Sequence, residues 1–242
     1  MKTINVTIWN EFYHETHKEN IKKVYPDGIH SVIAKQLSVQ PDFKITTATL
    51  DMPEHGLTDE VLNNTDVLIW WGHAKHAAVS DEIAEKVKNR VLDGMGFIPL
   101  HSGHLCKPFK LLMGTVCRSK WRDDDRERIW VIDPSHPIAE GLPEYIDIPN
   151  VEMYGERFEV PTPDEIVFIS WFAGGEVFRS GCCWKRGLGK VFYFRPGHEE
   201  YPIYYREDIT KILTNAVRWA APRNITPPTL GNFKSLEHKE EA

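Results

Sequence analysis

The run GFIPLHSGHLCKPFKLLMGT, residues 96–115, holds a short apolar stretch that stops at His101-Ser102-Gly103-His104 and resumes with helical spacing. A strand that turns sharply and leaves as a helix exposes one side chain above a sheet and aims helix N–H groups at it. His101 takes that position. Imidazole is the side chain that works near neutral pH either as acid and base or as a metal ligand. The plain alternative is a histidine satisfied inside the core. Ser102, one residue later, should turn toward another face; a serine hydrolase is a further alternative, although the G-x-S-x-G pattern is missing.

Elements that position these residues alternate along the first half. INVTIW (4–9) suits a strand buried on both faces, and Ile29, Val32, Ile33 and Leu37 recur at helical spacing behind Pro26. FKITTATL returns to strand character, followed by a short helix at 59–63, a strand DVLIWW (66–71), and a helix from Ser80 to about Asp93. Ser80 with Asp81 and Glu82 makes a good helix start. GFIPL and KPFKLLM supply the next strand and helix. This order predicts an α/β fold with a mainly parallel, doubly wound sheet, whose ligands bind beyond the carboxyl ends of the strands. Those ends carry Trp9, Asn10 and Glu11; Trp71, Gly72 and His73; and His101 to His104.

The second half reads as further strands (RIWVID, IVFIS, EVFRSGCCW, KVFYFR) separated by turn residues, which predicts a hairpin layer on the same domain. An amphipathic helix closes the domain near Ala220, and RDDDRER (122–128) reads as a solvated charge run.

Composition excludes several classes of partner. With 41% hydrophobic residues, 26% charged and a net charge of −6, the 242-residue chain lacks a basic face for nucleic acid. It has neither a long apolar span nor a secretory leader, so no membrane partner and a cytoplasmic location are expected. Cys106, Cys117, Cys182 and Cys183 show no CxxC spacing and are expected to be reduced and structural. Of Cys182 and Cys183, adjacent on a strand, one should face the core. No nucleotide cofactor is expected. The 11 histidines and 8 tryptophans fall in clusters beside polar residues.

The segments TIWNEFYHE, WWGHAKH, LHSGHLCKPFKLLMGT, VEMYGERF and WFAGGEVFRSGCCWKRGLGKVFYFRPGHEEYP together resemble the ThuA-like, or trehalose utilisation, family. The likeness runs from Thr3 to about Pro222, which sets a domain at 1–222 and a C-terminal tail at 223–242. The resemblance implies a three-layer flavodoxin-like sandwich of the class I glutamine amidotransferase-like superfamily. In that superfamily the elbow carries a nucleophilic cysteine and a later His-Glu pair supplies the base. Here His101 stands at the cysteine position and PGHEE (196–200) at the pair, so glutamine hydrolysis through a thioester is excluded.

His101 and His198, joined by His73, are then candidate ligands for one divalent transition ion, zinc or manganese. Glu156 in MYGERF is the candidate carboxylate for acid and base work beside His101 and His198; Glu199 is a weaker one. Trp9, Asn10, Glu11, Trp71, His104, Arg179, Arg195 and Glu199 offer the aromatic faces and planar polar groups that sugar hydroxyls need. The resemblance implies carbohydrate metabolism, with trehalose or a related disaccharide as source and a functional partnership with an NAD-dependent dehydrogenase that makes 3-keto sugars. The reading is an enzyme acting on a keto sugar or keto-glycoside by metal- or His-assisted proton abstraction. The alternatives are a noncatalytic sugar-binding or regulatory protein and the Ser102 hydrolase. Exposed aromatic loops point to a homo-oligomer.

Overall fold

The computed structural model describes residues 3–222, 229–235 and 237. The first half runs β1 (Ile4–Asn10), α1 (His14–His17), α2 (Glu19–Val24), α3 (Ile29–Leu37), β2 (Phe43–Thr49), α4 (Asp59–Asn63), β3 (Val67–Trp71), α5 (Asp81–Leu92), β4 (Gly96–Leu100) and α6 (Lys107–Met113). The second half adds β5 (Lys120–Val131), β6 (Tyr145–Gly155), β7 (Glu165–Phe172), β8 (Val177–Arg186) and β9 (Gly189–Phe194) before the closing α7 (Glu207–Ala220). Local chemistry explains the boundaries. Ser80 caps α5 by accepting the Ile83 N–H at 3.2 Å, and Thr58 caps α4 through the Val61 N–H at 3.3 Å.

Among the described residues nine strands form one sheet in the order β2-β1-β3-β4-β9-β8-β7-β5-β6. The expectation of a mainly parallel sheet is corrected: the sheet is mixed. From β2 to β9 every neighbouring pair is parallel, and from β9 to β6 every pair is antiparallel. The reason lies in the connections. A parallel return needs a crossover of a dozen or more residues, whereas the short links β7–β8 and β8–β9 can only reverse the chain. The hairpins extend the main sheet and do not form a separate layer. β6, in YIDIPNVEMYG, was not anticipated as a strand.

Helices cover the parallel half on both faces. α3 packs on β1, β2 and α7, while α5 touches α4 and α6. Right-handed crossovers leave β1 toward β2 and β3 toward β4 in opposite directions across the sheet, which puts α3 and α5 on opposite faces. Buried on both sides, VLIWW and GFIPL are apolar without alternation. Trp9 and Trp70, in register on adjacent strands, stack with centroids 3.8 Å apart. Cys182 and Cys183 are both buried, because the sheet is covered on both faces there; all four cysteines are free. RDDDRER lies within β5 and is not uniformly solvated, since Glu127 is fully buried. The tail 223–242 falls largely outside the described residues.

The chain leaves β1 for β2 on one side and resumes as β3 on the other, so the switch point lies between the carboxyl ends of β1 and β3. The loop after β9 closes this end. Its Gly197 has φ +135°, and a Cβ there would lie 2.0 Å from the Tyr204 hydroxyl. Gly197→Ala is expected to cost more than the roughly 1–3 kcal/mol of backbone strain alone. Gly114→Ala, at φ +68° with open space around it, should cost only that strain; urea unfolding of the two variants measures the difference.

Candidate active site

Three imidazoles converge at the carboxyl ends of β3, β4 and β9. One ring nitrogen from each of His73, His101 and His198 lies within 4.8 Å of the others. His101 follows β4 directly, with φ +50°, and opens a single 3-10 turn before α6. Its Nδ1 is 3.1 Å from the Arg195 carbonyl, which can only accept, so Nδ1 carries the proton and Nε2 a lone pair. Burial, helped by His73 and Arg195, holds His101 well below the ordinary imidazole value and keeps it neutral.

His101 Nε2 sits 3.0 Å from Glu152 Oε2 on β6. The two atoms are not aligned as a hydrogen bond, and among the described residues neither has a hydrogen-bond partner. Two lone-pair atoms this close require a proton on one of them or a cation or donor between them. Burial raises the Glu152 pKa, although His198 and His73 work against it.

His73 is set by two carboxylates. Glu11, just past β1, accepts the backbone N–H groups of His73, Ala74 and Lys75 at 2.7–2.9 Å and thereby fixes the loop across the switch point. Glu199 Oε1 accepts His73 Nδ1–H at 2.8 Å and also the Nδ1–H of His14. Burial opposes a charge on His73, but the Glu199 carboxylate outweighs it and raises the pKa. Burial likewise opposes ionisation of Glu199, yet its bonds to His14 and His73 hold it far below the usual carboxylate range. His198 differs from the other two. Its Nδ1 accepts the Glu200 N–H at 3.2 Å, so the neutral ring carries its proton on Nε2. Burial first, then His101, lowers its pKa to about 4.

A cleft of about 520 Å³ opens onto these groups, lined by His73, Ser102, His104, Glu152, Tyr154, His198 and Glu199, with Lys18, Arg118, Trp121, Asp123 and Glu200 among its other walls. That volume suits a small molecule. His101 is fully buried behind Glu152 and stacks on Tyr154, centroids 5.2 Å apart. His104 donates Nδ1–H to the Cys117 carbonyl at 2.6 Å. The Ser102 hydroxyl meets the Tyr154 hydroxyl at 2.8 Å and no imidazole, so the pairing that a serine nucleophile needs is missing from these contacts.

The structure places the remaining candidates elsewhere. Glu156 lies past the end of β6 at Gly155; it grips the Arg179 guanidinium at 2.8 and 3.0 Å and lines a different, smaller cavity. Glu152, within β6, is the carboxylate that enters the cleft. Arg195 is fully buried against Glu127 and the Glu152 carbonyl. Trp9 donates its indole N–H to the His55 carbonyl, Trp71 to the Gly197 carbonyl, and Asn10 binds Glu15 and His30. None of these five side chains, nor Arg179 beside Glu156, lines the cleft.

The chain is an α/β protein whose mixed nine-stranded sheet carries three imidazoles at the carboxyl ends of its parallel strands. The chain belongs to the ThuA, trehalose utilisation, family, whose model matches residues 5–220. A role in trehalose utilisation is what that membership supports. A ThuA-like protein from Parabacteroides merdae has a similar structure, with a TM-score of 0.67 at 14% identity over 93% of this chain and 94% of that one. Another from Bacteroides uniformis gives 0.63 at 16% identity over 90% and 91%. A glutamine amidotransferase from Thermotoga maritima gives 0.54 at 10% identity over 90% and 97%, a likeness of fold alone. No curated protein matches the sequence significantly. Among the described residues no helix is long and apolar enough to cross a membrane.

Acid stability reports on the neutral rings. Burial brings His104 to about 3, against about 6.5 for an unfolded imidazole. Between those values the unfolded chain binds more protons, so stability falls as the pH drops. The raised pKa of His73 acts the other way, adding stability below the unfolded value that is lost as the pH rises through the folded one. His104→Gln should therefore make the acid limb shallower by about 1.4 kcal/mol per pH unit between roughly pH 4 and 6, read from unfolding curves at each pH.

Proposed function

We propose that the protein is a carbohydrate-utilisation enzyme that acts on a keto sugar or keto-glycoside derived from trehalose or a related disaccharide. It abstracts the proton beside the carbonyl and so drives isomerisation or elimination. The observation that carries this reading is the unpartnered pair of His101 Nε2 and Glu152 Oε2, 3.0 Å apart behind a cleft that His198 also lines.

Each group has a role that its hydrogen bonds support. Glu152, facing the cleft with a raised pKa, is the base; His101, buried and neutral behind it, offers a lone pair to the proton it takes up. His198, neutral with Nε2–H, is the electrophile that donates to the developing enediolate oxygen. A carboxylate base opposite a neutral imidazole electrophile is an effective pair for enolisation. With a leaving group on the next carbon the same enediolate expels it.

A divalent transition ion, zinc or manganese, would polarise the carbonyl as a Lewis acid. His73 and His101 fit it, because each has its Nδ1–H engaged and its Nε2 lone pair free. His198 fits as the third ligand only on giving up the Glu200 bond, and Glu152 stays free as the base. Two proteins of Salmonella typhimurium with a similar fold are described as cytoplasmic, which supports a cytoplasmic location here.

Two measurements test the reading. In heavy water the protein should exchange deuterium into a 3-keto glucoside, and Glu152→Gln should slow this roughly 100-fold or more while Glu156→Gln stays near wild type. No exchange, with sugar binding that survives His101→Ala and His198→Ala, would make this a binding protein. Metal content by mass spectrometry of untagged protein should show a stoichiometric ion lost in His101→Ala; a metal-free wild type that still exchanges deuterium leaves the imidazole and carboxylate groups to act alone.

A further inference from the structure

Trp121 stands apart among the eight tryptophans. It is 64% exposed, and among the described residues its side chain has no ring, cation or hydrogen-bond partner. The others are held: Trp9 stacks on Trp70, Trp71 and Trp184 donate their indole N–H groups, and Trp171 takes Arg126 over its ring. Trp130 and Trp219 pack on Tyr145 and His136. An indole left in water at the wall of a cleft loses apolar burial that a ligand would restore.

Its place in the sheet relates it to the reacting groups. Trp121 on β5 pairs directly with Tyr154 on β6, and Tyr154 stacks on His101. Cross-strand partners have Cβ atoms about 5 Å apart on one face, so Trp121 springs from the same face as the ring that covers His101. Asp123 lines the same cleft, with a carboxylate oxygen within 4.8 Å of ligand atoms on Glu152 and His198.

We infer that Trp121 is the specificity-determining platform for the part of the substrate outside the imidazole pocket, a ring with a flat apolar face and polar edges, with Asp123 as its hydroxyl partner. This deepens the reading of the site as an enzyme on keto sugars and rests on it. A second sugar ring and an aromatic aglycone share that chemistry.

The test compares wild type, Trp121→Ala and Trp121→Phe on 3-keto-glucose, a 3-keto disaccharide and a 3-keto aryl glucoside. Trp121→Ala should raise KM roughly tenfold for the two-part substrates, with a much smaller effect on kcat and on 3-keto-glucose, and Trp121→Phe should recover most of the loss. Sensitivity confined to the disaccharide or to the aryl glucoside identifies which ring is used. An equal loss on all three substrates, or no loss on any, overturns the inference. Calorimetric binding of the unoxidised disaccharide and aryl glucoside separates it from the catalytic reading: wild type that binds either one through Trp121 without turnover refutes only the chemistry. Wild type that binds neither and turns over neither refutes the platform.

Discussion

The Glu199 carboxylate holds the site together. It belongs to the loop after β9, yet it is buried and accepts Nδ1–H groups from His14, just past β1, and His73, past β3. One oxygen thus joins three segments far apart in sequence at the carboxyl end of the sheet. Burying a carboxylate is costly unless hydrogen bonds replace its water. Here two imidazoles do so, and in return each has its proton fixed on Nδ1 and its other nitrogen free. Without Glu199, the orientation of His73 toward His101 and His198 would rest on the Glu11 contacts to its backbone alone.

A second constraint follows from burial. Three imidazoles this close cannot all be charged. The structure resolves the conflict through different partners: a carbonyl for His101, a carboxylate for His73 and a backbone N–H for His198. These choices make His101 a lone-pair donor and His198 a proton donor, while Glu199 favours the charged form of His73. The chemical division among three identical side chains is therefore written in second partners, none of which is itself a histidine.

Much of the parallel half was legible because its signals are local. Apolar runs without alternation, helix caps such as Ser80 and the β-α order specify strands whose ends must share an edge, which is how His73, His101 and Glu11 could be grouped in advance. The mixed sheet was less legible, since hairpin turns give direction only when the strands around them are all recognised, and β6 was not. That omission also explains the carboxylate. In NVEMYG, alternation puts Glu152 and Tyr154 on one face once the segment is known to be a strand, whereas Glu156 lies beyond its end. His14 and Trp121 carried no signal of their own: one depends on a short helix folding back, the other on cross-strand register. Arg195 and Trp9 were plausible sugar contacts by type, but the pairing of Arg195 with Glu127 and the stacking of Trp9 on Trp70 consume them in the core.

The turn at His101 links these observations to chemistry. A non-glycine residue at φ +50° costs on the order of 1–3 kcal/mol, which the surrounding structure must offset. Histidine is among the residues that tolerate this region better than most, and the Arg195 carbonyl, itself locked by the buried Arg195–Glu127 pair, gives the strained ring one fixed orientation. The strain thus sets a neutral imidazole beside Glu152 where a thiol at the same turn would present a nucleophile. In this geometry the elbow supports proton chemistry, because a buried neutral imidazole 3.0 Å from a carboxylate can share a proton with it.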